Sequence, residues 1–469
     1  MERVRRGEAL MDTNTAHIPL KTETTGVSSV NKRINTNVDT AQQSLMTLHK
    51  KALSSHLFKV CIEINPLVTA ALQQLAVTIF RNRALEGFHH KETPEEYIEE
   101  NFKNEIINKL REYLLKHLVI NHLINEIYLN KIPVANYPRL STIEFNKEQT
   151  FSYHFDLSIA DPIELKEWKN FSFKSPKRKK YKDLDKQVVN FVESEAAESK
   201  KTDDNRAEEG DWIYFEALLV DKAHVPITPH LKNIFWMKLK NHSVVDPLRD
   251  SFLGKKISES FITDNLEIND SDNDYENYRF SYLIRINALV KGNYLSPELF
   301  RNTFKLKNKT DVHNKLMEVF SYRNDLSQRK LIIEEVFHLL LSKHRFEVPK
   351  HLVLRRQEDI LSTLSKQPDY QVYKAQKNFE SYVEMLAEKQ LKEEILIDQI
   401  AHRENLTVEL TDMQQYLHLF NNKRLREFIY FKPLLEKIDE SNTPIATALL
   451  NQGVLREKTL NHIIHQLTH

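Results

Sequence analysis

The sequence predicts a multidomain α+β protein, and three observations carry that reading. The chain has 469 residues, 28% of them charged and only seven glycines, which is enough apolar material for several small cores joined to long solvated helices. Runs with the two-residue period of strands gather in 57–64, 141–159 and 208–291, whereas from 296 onward the apolar spacing is helical. Five stretches are expected: a disordered leader over 1–47, a small α/β unit over 48–165, a linker over 166–207, a β-rich domain over 208–295 and an extended, arm-bearing all-helical body over 296–469.

The leader is rich in Thr, Ser and Asn and has little periodic apolar content. After it, "LFKVCIEI" alternates Phe58, Val60, Ile62 and Ile64, a half-buried strand. Asn65 and Pro66 then start a helix carrying Val68, Leu72, Leu75 and Ile79. A second, longer helix over 103–129 has Ile106, Leu110, Leu114, Ile120, Leu123 and Ile127 near one stripe, and Pro133 and Pro138 end it. "STIEF" and "TFSYHFDLSI" close the unit as a hairpin. The linker joins a basic run, 177–180, to an acidic polar stretch, with one helix expected near 184–192. "DWIYFEALLV", "IFWMKL" and "RFSYLIRINALV" supply the strands of the β-rich domain. Helices follow over 310–344, after Pro349, and over 378–404.

Charge and cysteine content exclude several functions. Sixty-seven basic and 66 acidic side chains leave a net charge of +1, so no global field recruits DNA or an anionic membrane. The one cysteine, Cys61, has no partner for an internal disulfide and reads as a buried small hydrophobe in a reducing compartment. Without a secretory h-region or a run of about 18 apolar residues, a cytoplasmic protein is expected, and the sequons at Asn170, Asn241, Asn308 and Asn405 carry no weight. No Gly-rich phosphate loop, His-Glu-x-x-His, cysteine pair or G-x-S-x-G occurs, and neither a cofactor nor a metal is expected.

One stretch, "EGFHHKETPEEY" over 86–97, has no evident structural task in its first half. Thr93, Pro94, Glu95 and Glu96 read as a capping box opening a helix. Gly87, Phe88, His89, His90 and Lys91 form a loop tip, the kind of place where binding residues concentrate. Adjacent histidines diverge, and no Cys or third His stands at ligand spacing, so a zinc site is not expected there.

In order and in parts, residues 50–469 resemble trigger factor, the bacterial ribosome-associated chaperone. "VPKHLVLRRQEDIL" and "LAEKQLKEEILIDQIAHRENLTVELTDMQQYL" carry the most specific likeness. The family's docking signature is Gly-Phe-Arg-x-Gly-Lys-x-Pro, of which Gly87, Phe88 and Pro94 are kept. His89 stands in the arginine's place, Lys91 in the second glycine's and Glu92 in the lysine's, so fixed positive charge is lost and softer docking on ribosomal RNA is expected. The resemblance implies a ribosome-docking α/β domain with Gly87, Phe88, His89, His90, Lys91 and Pro94 as its contacts.

The same resemblance makes the middle domain an FKBP-type peptidyl-prolyl isomerase-like domain. "DPLRDSFLGKKISESF" is similar to one of its segments, with Gly254 and Phe261 kept. Its pocket is assigned to Phe235, Leu248 and Phe280, while Ala217, Val225 and Leu248 replace family aromatics, so weak or lost activity is expected. The function implied is that of an ATP-independent chaperone assisting folding of nascent chains on the large ribosomal subunit near the exit tunnel, with a homodimer possible off the ribosome. The alternative is a free-standing isomerase or holdase acting away from the ribosome. A third reading is a helical scaffold without clients. Phe304, Phe320, Phe337, Phe346, Tyr370, Tyr373 and Phe379 are the aromatic candidates for a client-holding cradle.

Overall fold

A computed structural model describes residues 46–468 except 55, 82–84, 90–91, 133, 135–137, 147–149, 179, 200–204, 222, 227–232, 241–245, 267–279, 293 and 433–443. The expected leader up to residue 45, the histidine and lysine His90 and Lys91, and the helix-ending Pro133 lie outside the described residues. The architecture is mixed α and β, with two antiparallel sheets and many helices.

The first sheet begins earlier than its alternation suggests. β1 (Met46–Ala52) is an edge strand with mostly exposed side chains, and β2 (Leu57–Ile64) buries Val60, Ile62 and Ile64 on the expected face. Cys61 points to the opposite face and is only half covered, a correction to its expected burial; partial burial and the nearby Glu63 raise its thiol pKa. α1 (Pro66–Arg81) is capped where Asn65 Oδ1 accepts from the Leu67 N–H at 2.9 Å, and it buries Val68, Leu72, Ala76 and Phe80. α2 (Glu95–Asn101) leads into α3 (Lys103–Leu114), a π turn over Leu115–Val119 and α4 (Ile120–Leu129). Junction dihedrals stay helical, so these last three make one rod with an inserted bulge. β3 (Arg139–Phe145) and β4 (Phe151–Ser158) complete the order β1-β2-β4-β3, and the rod is tied down where Tyr153 Oη donates to Arg111 O at 2.8 Å.

The stretch expected as a linker is held at several points. Trp168 is buried, the Lys166 N–H donates to His344 Nε2 at 3.0 Å, and α5 (Leu184–Ser199) sinks Leu184 and Val188 into the helical body's core.

The second sheet lies between two cores. Its strands are β5 (Trp212–Val220), β6 (Asn233–Lys238), β7 (Ser260–Thr263), β8 (Ser281–Val290) and the two-residue β9 (Ile445–Ala446), in the order β7-β8-β5-β6-β9. One helix, α6 (Pro247–Phe252), crosses from β6 to β7 with Asp246 Oδ1 capping the Leu248 and Arg249 N–H groups at 3.1 Å. Phe215, Ile213, Phe235 and Ile284 face α6 and join the core of the first unit, whereas Trp212, Trp236 and Val290 join the core of the helical body. A register shift between Tyr214 and Phe215 lets the central strand serve both.

The body contains α7 (Pro297–Phe304), α8 (Lys309–Met317), α9 (Gln328–Lys343), α10 (Lys350–Ser365), α11 (Tyr370–Lys374), α12 (Phe379–Arg403), α13 (Leu410–Asn421) and α14 (Thr447–Thr468). The single helix expected over 310–344 is interrupted between α8 and α9. Arg323 there adopts φ +54 beside Asn324 and Asp325, a turn that the apolar spacing on either side conceals. A buried ionic cluster binds α10, α12 and α14: Arg356 grips both Glu394 carboxylate oxygens at 2.9 and 2.8 Å, and Arg456 contacts Glu394 at 3.0 Å and Asp398 at 2.8 Å. Burial alone would raise the Glu394 pKa, but the two guanidiniums outweigh it and hold it below the usual value.

Candidate functional site

Three regions bear on function: the loop before α2, the aromatic face of the second sheet, and the hairpin formed by α10, α11 and α12.

In the loop, Gly87 sits at φ +90, a backbone state side chains disfavour, although a Cβ there would meet nothing within 4 Å. The glycine is therefore required by conformation and not by crowding. Its turn is closed by the Phe88 N–H donating to Leu85 O at 3.1 Å and the Glu92 N–H to His89 O at 3.0 Å. Phe88 is half-buried against Tyr97, ring centroids 4.8 Å apart, while His89 and Pro94 are exposed. The Phe88 and Tyr97 rings form an apolar step on the surface. The expected capping box does not form: Thr93 is fully buried with its Oγ1 unpartnered, and Pro94 occupies the N-cap of α2 without a side-chain hydrogen bond. A hydroxyl turned into the domain interior cannot reach the first N–H groups of the helix. Glu95 is held instead by Arg81 at 3.2 Å.

On the second sheet, Phe235 and Leu248 belong to the large apolar core shared with the first unit, and Phe280 packs against it. Phe235 is 1% exposed and Leu248 is also buried. Ala217 is buried in the same cluster, and Val225 lies out on the surface. Sequence reasoning missed what covers the cluster, because the covering residues come from the first unit's rod. Tyr113 packs on Phe280 with centroids 4.9 Å apart, and His117, in the π turn, packs on Phe235 and Tyr282 at 6.3 Å each. Tyr113 and His117 stack on each other at 4.4 Å, and the Tyr113 hydroxyl is hydrogen-bonded to Tyr282. Burial pushes the Tyr113 hydroxyl up to about 12 and, with Lys116 adding, drives the His117 imidazole down to about 3. His117 Nδ1 is buried without a hydrogen-bond partner.

The hairpin has the opposite character. Its base is core, with Leu352, Leu391 and Ile395 in one apolar cluster. Beyond the Arg356–Glu394 clamp most side chains are exposed, Val383 and Ala387 being buried between the helices. The exposed set includes Leu354, Val372 at 67%, Tyr373, Tyr382 at 58% and Met385. Among the aromatic candidates named from sequence, Phe320 and Phe337 are buried, Phe304, Phe346, Tyr370 and Phe379 are half-buried, and Tyr373 alone is exposed. The other exposed apolar groups were legible only as solvent-facing positions of charged helices. No group of three or more His, Cys, Asp or Glu side chains suited to a metal occurs among the described residues.

Comparison with known proteins gives a consistent family. Residues 46–191 match the model described as bacterial trigger factor protein, and residues 309–427 match that of the trigger factor C-terminus. The trigger factor of Geobacter metallireducens is 19% identical over 438 residues, covering 90% of this chain and 99% of the relative. Those of Geotalea daltonii and Rickettsia canadensis are each 20% identical, covering 81% and 84% of this chain and 90% and 87% of themselves. A solved trigger factor chaperone aligns over 89% of this chain and all of its own length at 14% identity, with a TM-score of 0.35. The two matched stretches flank the second sheet and together span more than half of the residues, and on that ground the chain belongs to the trigger factor family.

Proposed function

We propose that this protein is an ATP-independent chaperone that docks on the large ribosomal subunit near the exit tunnel and assists the folding of nascent chains, with an isomerase-like domain attached. The observation that carries this reading is the hairpin of α10, α11 and α12. It exposes Leu354, Val372, Tyr373, Tyr382 and Met385 among charged neighbours while being anchored at its base by buried ion pairs. Scattered apolar groups of this kind hold an unfolded segment weakly, and release needs no nucleotide because the client's own burial competes for the same surface.

Docking is assigned to Gly87, Phe88, His89, His90, Lys91 and Pro94. The half-exposed Phe88–Tyr97 step supports it, since an aromatic ring set on a loop by a glycine turn is an efficient anchor for a protein pocket. Phe235, Leu248 and Phe280 are assigned to the isomerase-like pocket. No helix among the described residues is long and apolar enough to cross a membrane; a cytoplasmic site of action follows from the proposed role.

Pelleting with large ribosomal subunits at low and high salt tests the docking reading. Phe88→Ala/His89→Ala/His90→Ala is expected to leave the pellet, and unchanged co-sedimentation would remove the site. Suppression of aggregation of a chemically unfolded test protein tests the client surface: Val372→Ser/Tyr382→Ser/Met385→Ser should lose it. Full suppression by that variant would move the client site elsewhere.

A further inference from the structure

We propose that Tyr113 and His117 are the intramolecular occupant of the isomerase-like pocket, so that seating the first unit's helical rod and admitting a prolyl peptide are mutually exclusive. This rests on the assignment of Phe235 and Phe280 to that pocket.

Three observations support it. First, the aromatic rings that would cradle a peptide are already paired, Phe280 with Tyr113 and Phe235 with His117. The occupying side chains come from a different unit, brought there through the rod. Second, His117 comes from the π turn over Leu115–Val119, the one stretch of the rod that departs from α geometry, with Tyr113 just before it at the end of α3. The bulge places His117 one step further round than a continuous α-helix would, and such bulges persist where a side chain must be re-aimed. Third, the contact is imperfect as core. His117 is 95% covered, yet its Nδ1 has no partner, whereas an apolar side chain would fill the same space at no polar cost. The unsatisfied nitrogen makes this contact costlier than an apolar one of the same shape, which favours displacement. The opposite face of the sheet offers no second entrance at Trp212 and Trp236, which are buried in the helical body.

The test uses the full chain and a short chromogenic Leu-Pro peptide, following cis–trans isomerisation and peptide binding. Tyr113→Ala/His117→Ala should raise both at least tenfold over the unmodified chain, and adding Phe235→Ala to that pair should abolish the gain. Circular dichroism establishes folding; if the double variant does not fold, Tyr282→Phe, which removes only the hydroxyl holding Tyr113, should give a smaller gain of the same sign. Hydrogen exchange on the unmodified chain with saturating peptide should show faster exchange over 103–119. If the unmodified chain already turns the peptide over, Phe235→Ala abolishes that, and opening variants change nothing, the plug is refuted and the pocket stands. If a folded opening variant exchanges freely over 103–119 but neither binds nor isomerises the peptide, the pocket assignment itself has failed, and the plug with it.

Discussion

The second sheet and the α10–α12 hairpin spend similar side chains in opposite ways. The sheet puts Phe215, Phe235, Trp212 and Trp236 between two bodies of the chain with essentially no exposure, and the hairpin leaves Val372, Tyr382 and Met385 in water. The difference lies in the neighbours. Each face of the sheet has a helical layer to cover it, from α3 and α6 on one side and from α5, α7 and α13 on the other, while the hairpin beyond its ionic clamp has only its own helices. The β-rich middle is thus covered on both faces, and the arm is where large apolar side chains stay in water.

The sharpest way to break that comparison is to cut the clamp between the two regimes. Arg456→Ala leaves the mostly covered Glu394 and Asp398 with one guanidinium fewer, and should cost about 3 kcal/mol in denaturant melts. A loss under 1 kcal/mol would mean the hairpin base is not part of the cooperative core. Acid separates the regions next. His117 near pKa 3 and His418 near 4, both lowered chiefly by burial, bind protons more readily unfolded than folded. Their contribution is therefore intact above about pH 6.5 and is lost as pH falls toward those values, at about 2 kcal/mol per histidine by pH 5. His418 also accepts the Ser296 N–H at 3.1 Å, a bond its protonated ring cannot keep. His117→Phe should flatten half of that slope; an unchanged slope would exclude His117. At the loop, Gly87→Ala should cost about 1 kcal/mol through its φ of +90 alone, since space is open, and Gly87→Asn should recover part of it. Smallest of all, Tyr382→Ser/Met385→Ser should shift stability by less than about 0.5 kcal/mol while aggregation suppression falls, separating the arm's role in binding from any role in folding.

Local patterns were legible in the sequence where burial is one-sided. "LFKVCIEI" forms β2 over the expected residues, and the run from Asn378 to Glu404 forms α12 within a residue at each end. β1 escaped because an edge strand with one poorly covered face shows little alternation, and β9 because two residues carry no period at all. The break between α8 and α9 was announced by Asn324, Asp325 and Ser327, but flanking apolar spacing masked it. For the candidate site, Phe88, Phe235 and Phe280 were visible as residue types. What no local pattern encodes is that His117, more than a hundred positions from Phe235, would be laid against it by packing between units.

The pairing of β9 with β6 has a temporal meaning. Ala446 sits opposite Phe235 and Ile445 opposite Trp236, and Thr447 Oγ1 donates to Ile234 O at 3.0 Å across 213 positions, so the sheet's outer edge stays bare long after β6 has been made. A chaperone thus carries in its own fold a distant closure of the slow-forming kind, its sheet left ajar while the intervening helices are still being made.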